Sequence, residues 1–240
     1  MLGKVKTLEE LISTDYLFEL ILNRFEIDQK DLQKSISNIR KEDNIDLNFL
    51  TEILIAFEDV DSFPVEKITA FPVKLIINYL RKTHQYYISK KLPELEQTIH
   101  HIRNRHNNNP TIQVLQHFFN DYKRALEEHI EVEEKDIFPY VLLLDYIASE
   151  QEEIVNDYYK ELGQMSIETL MLDHDHEHEN RLKEIINYLA AREKNLNDQL
   201  SFKVLLTQFR ALDKDLKVHE KLEEDVLFPK AKLLEKQLQA

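Results

Sequence analysis

No cysteine occurs among the 240 residues. That excludes a disulfide framework, a zinc ribbon, a thiolate nucleophile and a cysteine-ligated iron–sulfur cluster. Glycine is nearly missing as well, Gly3 and Gly163 being the two examples. A Gly-rich phosphate loop cannot be assembled from them. With six prolines beside them, they also leave too few turn residues for a β-sandwich or barrel. Basic charge is short: 31 Lys and Arg stand against 45 Asp and Glu, a formal net charge of −14. Such a chain repels nucleic-acid phosphates and anionic membrane surfaces, so neither is an expected partner. Long apolar runs are lacking, and none approaches the roughly 18 residues that span a bilayer. Acids interrupt the opening MLGKVKTLEELISTDYLFELI, so no signal-peptide core is expected and the expected location is cytoplasmic.

What is present is apolar periodicity. Some 42% of residues are hydrophobic, enough for one or two domains with a core, and nearly all of the chain reads as helix. From Phe71-Pro72 onward, Ile76, Ile77, Leu80, His84 and Tyr87 recur at spacings of three and four, which puts them on one helical face. Leu92-Pro93 is expected to interrupt or bend this helix. A break at Asn107–Pro110 precedes a second helix through Leu115, Phe119, Tyr122, Leu126, His129 and Glu133, with Pro139 near its end. A linker around Ser149–Ser166 leads to a third through Ile167, Leu170, Met171, His174, His178, Leu182, Ile185 and Leu189. After a turn at Asn195–Asp198 the fourth carries Leu205, Phe209, Leu212, Leu216, His219, Glu223 and Val226. The expected fold is all-α, an antiparallel four-helix bundle over residues 70–238.

Residues 1–65 read as a separate small helical domain. Short apolar-periodic segments cover Leu8–Phe25, Leu32–Ile39 and Leu47–Phe57, and a loop follows at Phe63-Pro64. Ile45-Asp46-Leu47-Asn48 is suited to capping a helix. A helix-turn-helix DNA binder has this size, but seven Lys and Arg against fourteen Asp and Glu in these residues give the wrong sign for phosphate.

The polar anomalies repeat. An offset of 90 residues superimposes His84 on His174, His129 on His219 and Glu133 on Glu223, and the apolar positions follow. HIEVEEKDIFP from His129 and HEKLEEDVLFP from His219 are thus two copies of H-x-x-x-E-x-x-x-x-F-P. Helical geometry sets the His and Glu of each copy one turn apart on the face that carries the apolar stripe, pointing into the core. Burying four imidazoles and two carboxylates without partners costs several kcal/mol each, about as much as a fold can spare. A metal centre resolves that cost. The donor set is too large for one tetrahedral zinc and suits two iron ions with terminal imidazoles and with Glu133 and Glu223 as bridges. Ferritin-like sites order their ligands differently, as Glu-x-x-His.

The pattern H…H-x-x-x-E…H…H-x-x-x-E with Phe-Pro endings resembles the hemerythrin-type domain. More narrowly, LRKTHQYYISKKLPELEQ, HIEVEEKDIFP, LMLDHDHEHE and HEKLEEDVLFP resemble, in order, the four helices of the iron–sulfur cluster repair di-iron proteins (the RIC family). LEELISTDYLFELILNRFEID loosely resembles that family's small N-terminal domain. The resemblance implies His84, His129, Glu133, His174, His219 and Glu223 as ligands of a carboxylate-bridged, oxo- or hydroxo-bridged pair of irons. It also implies a role in nitrosative and oxidative stress, with NO, O2 or peroxide as small ligands and damaged iron–sulfur proteins as partners. Three features depart from the family. The N-terminal cysteine pair is absent, Ala125 stands where a Glu is frequent, and His178 lies one turn after His174. Oxygen-carrying hemerythrins have two His on the third helix, so His178 is a candidate fifth imidazole ligand and O2 or NO binding or sensing is the alternative function. His176 is expected on another face, exposed, and His100, His101, His106 and His117 have no repeat partner. Asp173 and Asp215 are candidates for orienting the ligand imidazoles, with a surface position as the plainer expectation.

Overall fold

A computed structural model describes residues 7–27, 29–35, 38, 46–105, 110–149, 166–172, 177–192 and 199–239. Among these the protein is all-α, with no strand. The helices are α1 (Leu8–Thr14), α2 (Leu17–Arg24), α3 (Leu47–Glu58), α4 (Val65–Thr69), α5 (Val73–Tyr86), α6 (Leu92–Arg105), α7 (Pro110–Val132), α8 (Phe138–Ser149), α9 (Ile167–Leu172), α10 (Glu177–Arg192), α11 (Gln199–Lys221) and α12 (Phe228–Gln239). No helix among the described residues is long and apolar enough to cross a membrane. The expected breaks or turns at Asn107–Asn109 and Asn195–Asp198, and most of the expected linker, lie outside the described residues.

The chain divides into two compact units. One is Met1–Thr83 with Lys214–Lys230, the other His84–Asp213 with Ala231–Ala240. Each unit is built from two stretches of chain.

In the first unit, Thr7 caps α1 by accepting from the Glu10 N–H at 3.2 Å, and Asp46 caps α3 by accepting from Asn48 and Phe49, both at 3.0 Å. The Leu8–Phe25 segment forms two helices parted at Asp15, whose carboxylate accepts from the Leu17 N–H at 3.0 Å. The segment begun at Leu32 is not helical over its described residues 32–35. Its carbonyls are used elsewhere: those of Leu32 and Lys34 accept from the N–H groups of Glu9 and Leu8, satisfying donors at the start of α1. α2 ends with Glu26 at φ 59°, the left-handed position usually given to glycine. Glu26 N–H then meets Asn23 O, and Ile27 N–H meets Leu22 O.

An aromatic cluster of Phe25, Phe49, Phe71 and Tyr79 fills the centre of this unit, with neighbouring rings 5.2–5.9 Å apart. Beside it lies a buried ion pair. Arg24 of α2 makes two bonds to the Asp215 carboxylate of α11, the Nη1–Oδ1 bond at 2.8 Å, and a third to the Tyr79 hydroxyl at 3.3 Å. Asp215 therefore does not sit on the surface: it is buried with its carboxylate on the guanidinium. Burial pushes the Tyr79 phenol up, against the opposing pull of Arg24. Lys214 reaches Asp15 at 2.9 Å, and Lys230 donates to the Thr69 carbonyl at 2.6 Å.

In the second unit α7 packs on α6 and α10. Phe119 and Phe209 meet at 6.2 Å, joining α7 to α11, and Gln208 donates to Glu94 of α6 at 2.8 Å. The buried carboxylate of Glu235 on α12 accepts from the Tyr140 hydroxyl at 2.5 Å and from the Ile167 N–H at 2.7 Å, tying α8, α9 and α12 together.

The prolines do not break the helices. Each helical run continues through a π turn: Tyr87–Lys91 before Leu92-Pro93, Glu133–Ile137 before Phe138-Pro139, and Leu222–Leu227 before Phe228-Pro229. In each, the residue before the proline donates five residues back, Leu92 to Tyr87, Phe138 to Glu133 and Phe228 to Glu223. A proline ring clashes with the carbonyl four residues earlier and offers no N–H to it, and widening the turn accommodates both defects. The repeat supplies a control. The partner of Leu92-Pro93 is Leu182-Lys183, and there α10 runs on as ordinary α-helix from Glu177 to Arg192.

Removing one partner of the Arg24–Asp215 pair leaves a buried charge uncompensated. Arg24→Ala is expected to lower stability by roughly 3–5 kcal/mol, and the double variant Arg24→Met/Asp215→Leu by much less. Denaturant unfolding of the metal-free protein measures both.

Candidate metal centre

Helix α7 delivers His129 on its last turn, and the π turn that follows delivers Glu133. Their side chains meet at 3.0 Å, His129 Nε2 to Glu133 Oε1. The other oxygen of Glu133 faces His84, on the last turn of α5, at 3.1 Å from Nε2. Glu133 thus stands between two imidazoles, one oxygen toward each, and is completely buried. The ring of His84 stacks on Phe138, centroids 5.4 Å apart and planes within 5°.

Within the other unit, α11 and its π turn present the matching pair, His219 Nδ1 and Glu223 Oε2 at 3.2 Å, both buried. Two positions that align at the 90-residue offset therefore also share local backbone form, an α-helical His followed one turn later by the Glu of a π turn. The π turn lets α8 and α12 continue past a proline while keeping the His and Glu at their helical spacing.

Among the described residues one buried group could hold a metal ion. His84, Glu133, His219 and Glu223 each offer a ligand atom, and these atoms all lie within 4.8 Å of one another. Two imidazoles and two carboxylates, with no thiolate, are a donor set for iron, zinc or manganese rather than for thiophilic ions. The residues present therefore fit a metal. His129 adjoins the group through Glu133. His178 is buried against His129, ring centroids 4.2 Å apart. His174, His176 and Asp173 lie outside the described residues, as does His106. His100, His101 and His117 are exposed, and His117 pairs with Asp121 at 3.4 Å.

One functional neighbour escapes the sequence reading. Glu134 Oε1 lies 2.8 Å from His84 Nδ1, so carboxylates face both nitrogens of that ring. It follows a ligand candidate directly and reads as a surface acid. The signal that could have exposed it is the Glu-Glu dipeptide, which recurs at Glu223-Glu224.

Burial by itself would push the His84 imidazole down, but Glu133 and Glu134 together outweigh it and hold the pKa above its ordinary value of about 6.5. A raised folded-state pKa contributes stability that is complete below the ordinary value and is lost as pH rises through the folded value. In metal-free protein, the stability difference between the wild type and His84→Gln should therefore shrink as pH rises from below 6 into the alkaline range, roughly following that titration. Metal ligation requires the unprotonated nitrogen, so loading near neutral pH should release protons and affinity should fall on acidification. Unfolding curves across pH and a pH-stat titration measure the two effects.

Compared with known proteins, the sequence matches no family model and no curated protein. The reading of this centre rests on the His/Glu geometry itself.

Proposed function

We propose that this chain is a non-haem di-iron protein of the hemerythrin-like four-helix type, acting in the repair of iron–sulfur clusters damaged by nitrosative or oxidative stress. The observation that carries the reading is the buried group of His84, Glu133, His219 and Glu223, reached from two copies of one His/Glu motif. The disposition of Glu133 favours two ions over one, since its oxygens address different imidazoles, His84 and His129. His174 enters by the repeat, as the counterpart of His84.

A pair of irons held by these residues supplies Lewis acidity and redox chemistry toward NO, O2 or peroxide, and iron itself for donation to a depleted cluster. The chain's own part is to hold and to exclude. Glu133 and Glu223 provide negative charge away from water, where its attraction for a cation is strong. Phe138 covers one face of His84 and shields it from solvent. Protonation at Glu133 or His84 would weaken the hold on a cation and favour its release.

A second reading, reversible O2 or NO binding, is favoured by one observation: His178 is buried with its ring against that of His129. An additional imidazole beside the centre suits a gas carrier better than a donor of iron.

Anaerobic reconstitution of the full chain is expected to give two irons per chain by metal analysis, and loaded protein is expected to revive an iron-depleted cluster enzyme. Glu133→Leu should lose most of the iron and the activity. Equal revival by wild type and Glu133→Leu would overturn the repair reading. A stable, reversible oxygen adduct of the ferrous protein, seen by absorption, would favour gas binding instead.

A further inference from the structure

His84 is held from three directions. Nε2 faces Glu133 Oε2 at 3.1 Å, Nδ1 meets Glu134 Oε1 at 2.8 Å, and Phe138 stacks on the ring 5.4 Å away. An imidazole offers a cation only the nitrogen that carries no proton, and the hydrogen bond made by the other nitrogen decides which one that is. A carboxylate can only accept. Without a cation both nitrogens face acceptors; a cation at Nε2 takes the place of a proton there, and Glu134 holds the remaining proton on Nδ1.

The backbone makes this possible. Successive residues on a helix point about 100° apart, and the two nitrogens of an imidazole also diverge widely. A Glu-Glu dipeptide can therefore address both nitrogens of one ring. Glu134 is nevertheless partly open to solvent, its side chain 31% exposed, whereas Glu133 is fully buried. It pays little desolvation cost and is not needed to fill the core.

We propose that Glu134 is a positioning residue for His84, fixing the Nδ1–H form and the orientation of the ring so that Nε2 is presented to a cation together with Glu133. The proposal rests on the metal-site reading above and adds to it a residue that does not itself touch the metal.

The test is zinc competition against a chromophoric chelator, using the full chain as wild type, Glu134→Ala, Glu134→Gln, His84→Ala and Glu131→Ala. Glu131 is an exposed control that pairs with Lys135. Glu134→Ala is expected to bind Zn2+ roughly 10–100-fold more weakly than the wild type. Glu134→Gln, which keeps a hydrogen-bond acceptor without the charge, should lie between them, and Glu131→Ala should match the wild type. Nitrogen-15 NMR of the zinc-loaded wild type should show a proton on His84 Nδ1 and coordination through Nε2. The Nδ1–H signal should exchange faster in Glu134→Ala, while the thermal midpoint of the metal-free variant stays near the wild-type value. Wild-type affinity in Glu134→Ala, an equal loss in Glu131→Ala, or coordination through Nδ1 would overturn the positioning role alone. Failure of the wild type to compete for zinc, with His84→Ala indistinguishable from it, would overturn the metal reading as well.

Discussion

Two carboxylates without access to water set the terms for this protein. Glu133 is 0% and Glu223 1% exposed, and an ionised carboxylate in such surroundings is tolerated only when positive charge or strong donors compensate it. Imidazoles stand at 3.0–3.2 Å from both. Neutral imidazole offers a single N–H and no charge, so histidines alone discharge the debt only when protonated. A cation beside each carboxylate would meet it at any pH where the side chains are deprotonated, which is the physical case for a metal here.

The rest of the architecture holds those side chains in place. Glu133 opens its π turn and Glu223 is the second residue of its own, and in both the glutamate's carbonyl accepts the long hydrogen bond from the residue before the proline. Backbone irregularity and ligand thus coincide at one position in each copy. Glu134 steadies His84 from behind. The bidentate clasp of Arg24 on Asp215 lies one helical turn before His219 and fixes the α11 segment that carries it against α2. Residues of the N-terminal helices therefore belong to the compact unit that includes His219 and Glu223.

Much of this was legible in the sequence because it repeats. His84, His129, Glu133, His219 and Glu223 announce themselves as polar residues on an apolar stripe, and a 90-residue offset separates them from histidines without a counterpart such as His100 and His117. The all-helical fold follows from periodicity and the scarcity of glycine. Other features depend on tertiary partners that no local pattern encodes. Asp215 looks like an ordinary helix-surface acid until Arg24, distant in sequence, is seen against it. Leu32 begins a stretch with apolar spacing, yet its carbonyl and that of Lys34 accept from the start of α1. Proline marks a defect in a helical run without revealing whether the chain will break, kink or widen, and here it widens three times.

The first compact unit is discontinuous: Met1–Thr83 is completed by Lys214–Lys230, with the whole of residues 84–213 synthesised in between. At about 5–20 residues per second, a ribosome takes on the order of ten seconds to make that stretch. During that interval Arg24 has no Asp215, and α4 lacks the Leu222–Leu227 turn that packs on it. Closing so long a loop is slow and entropically costly. Until that strip arrives, the cluster of Phe25, Phe49, Phe71 and Tyr79 holds these helices together, and the uncovered face of α4 is what a chaperone would shelter.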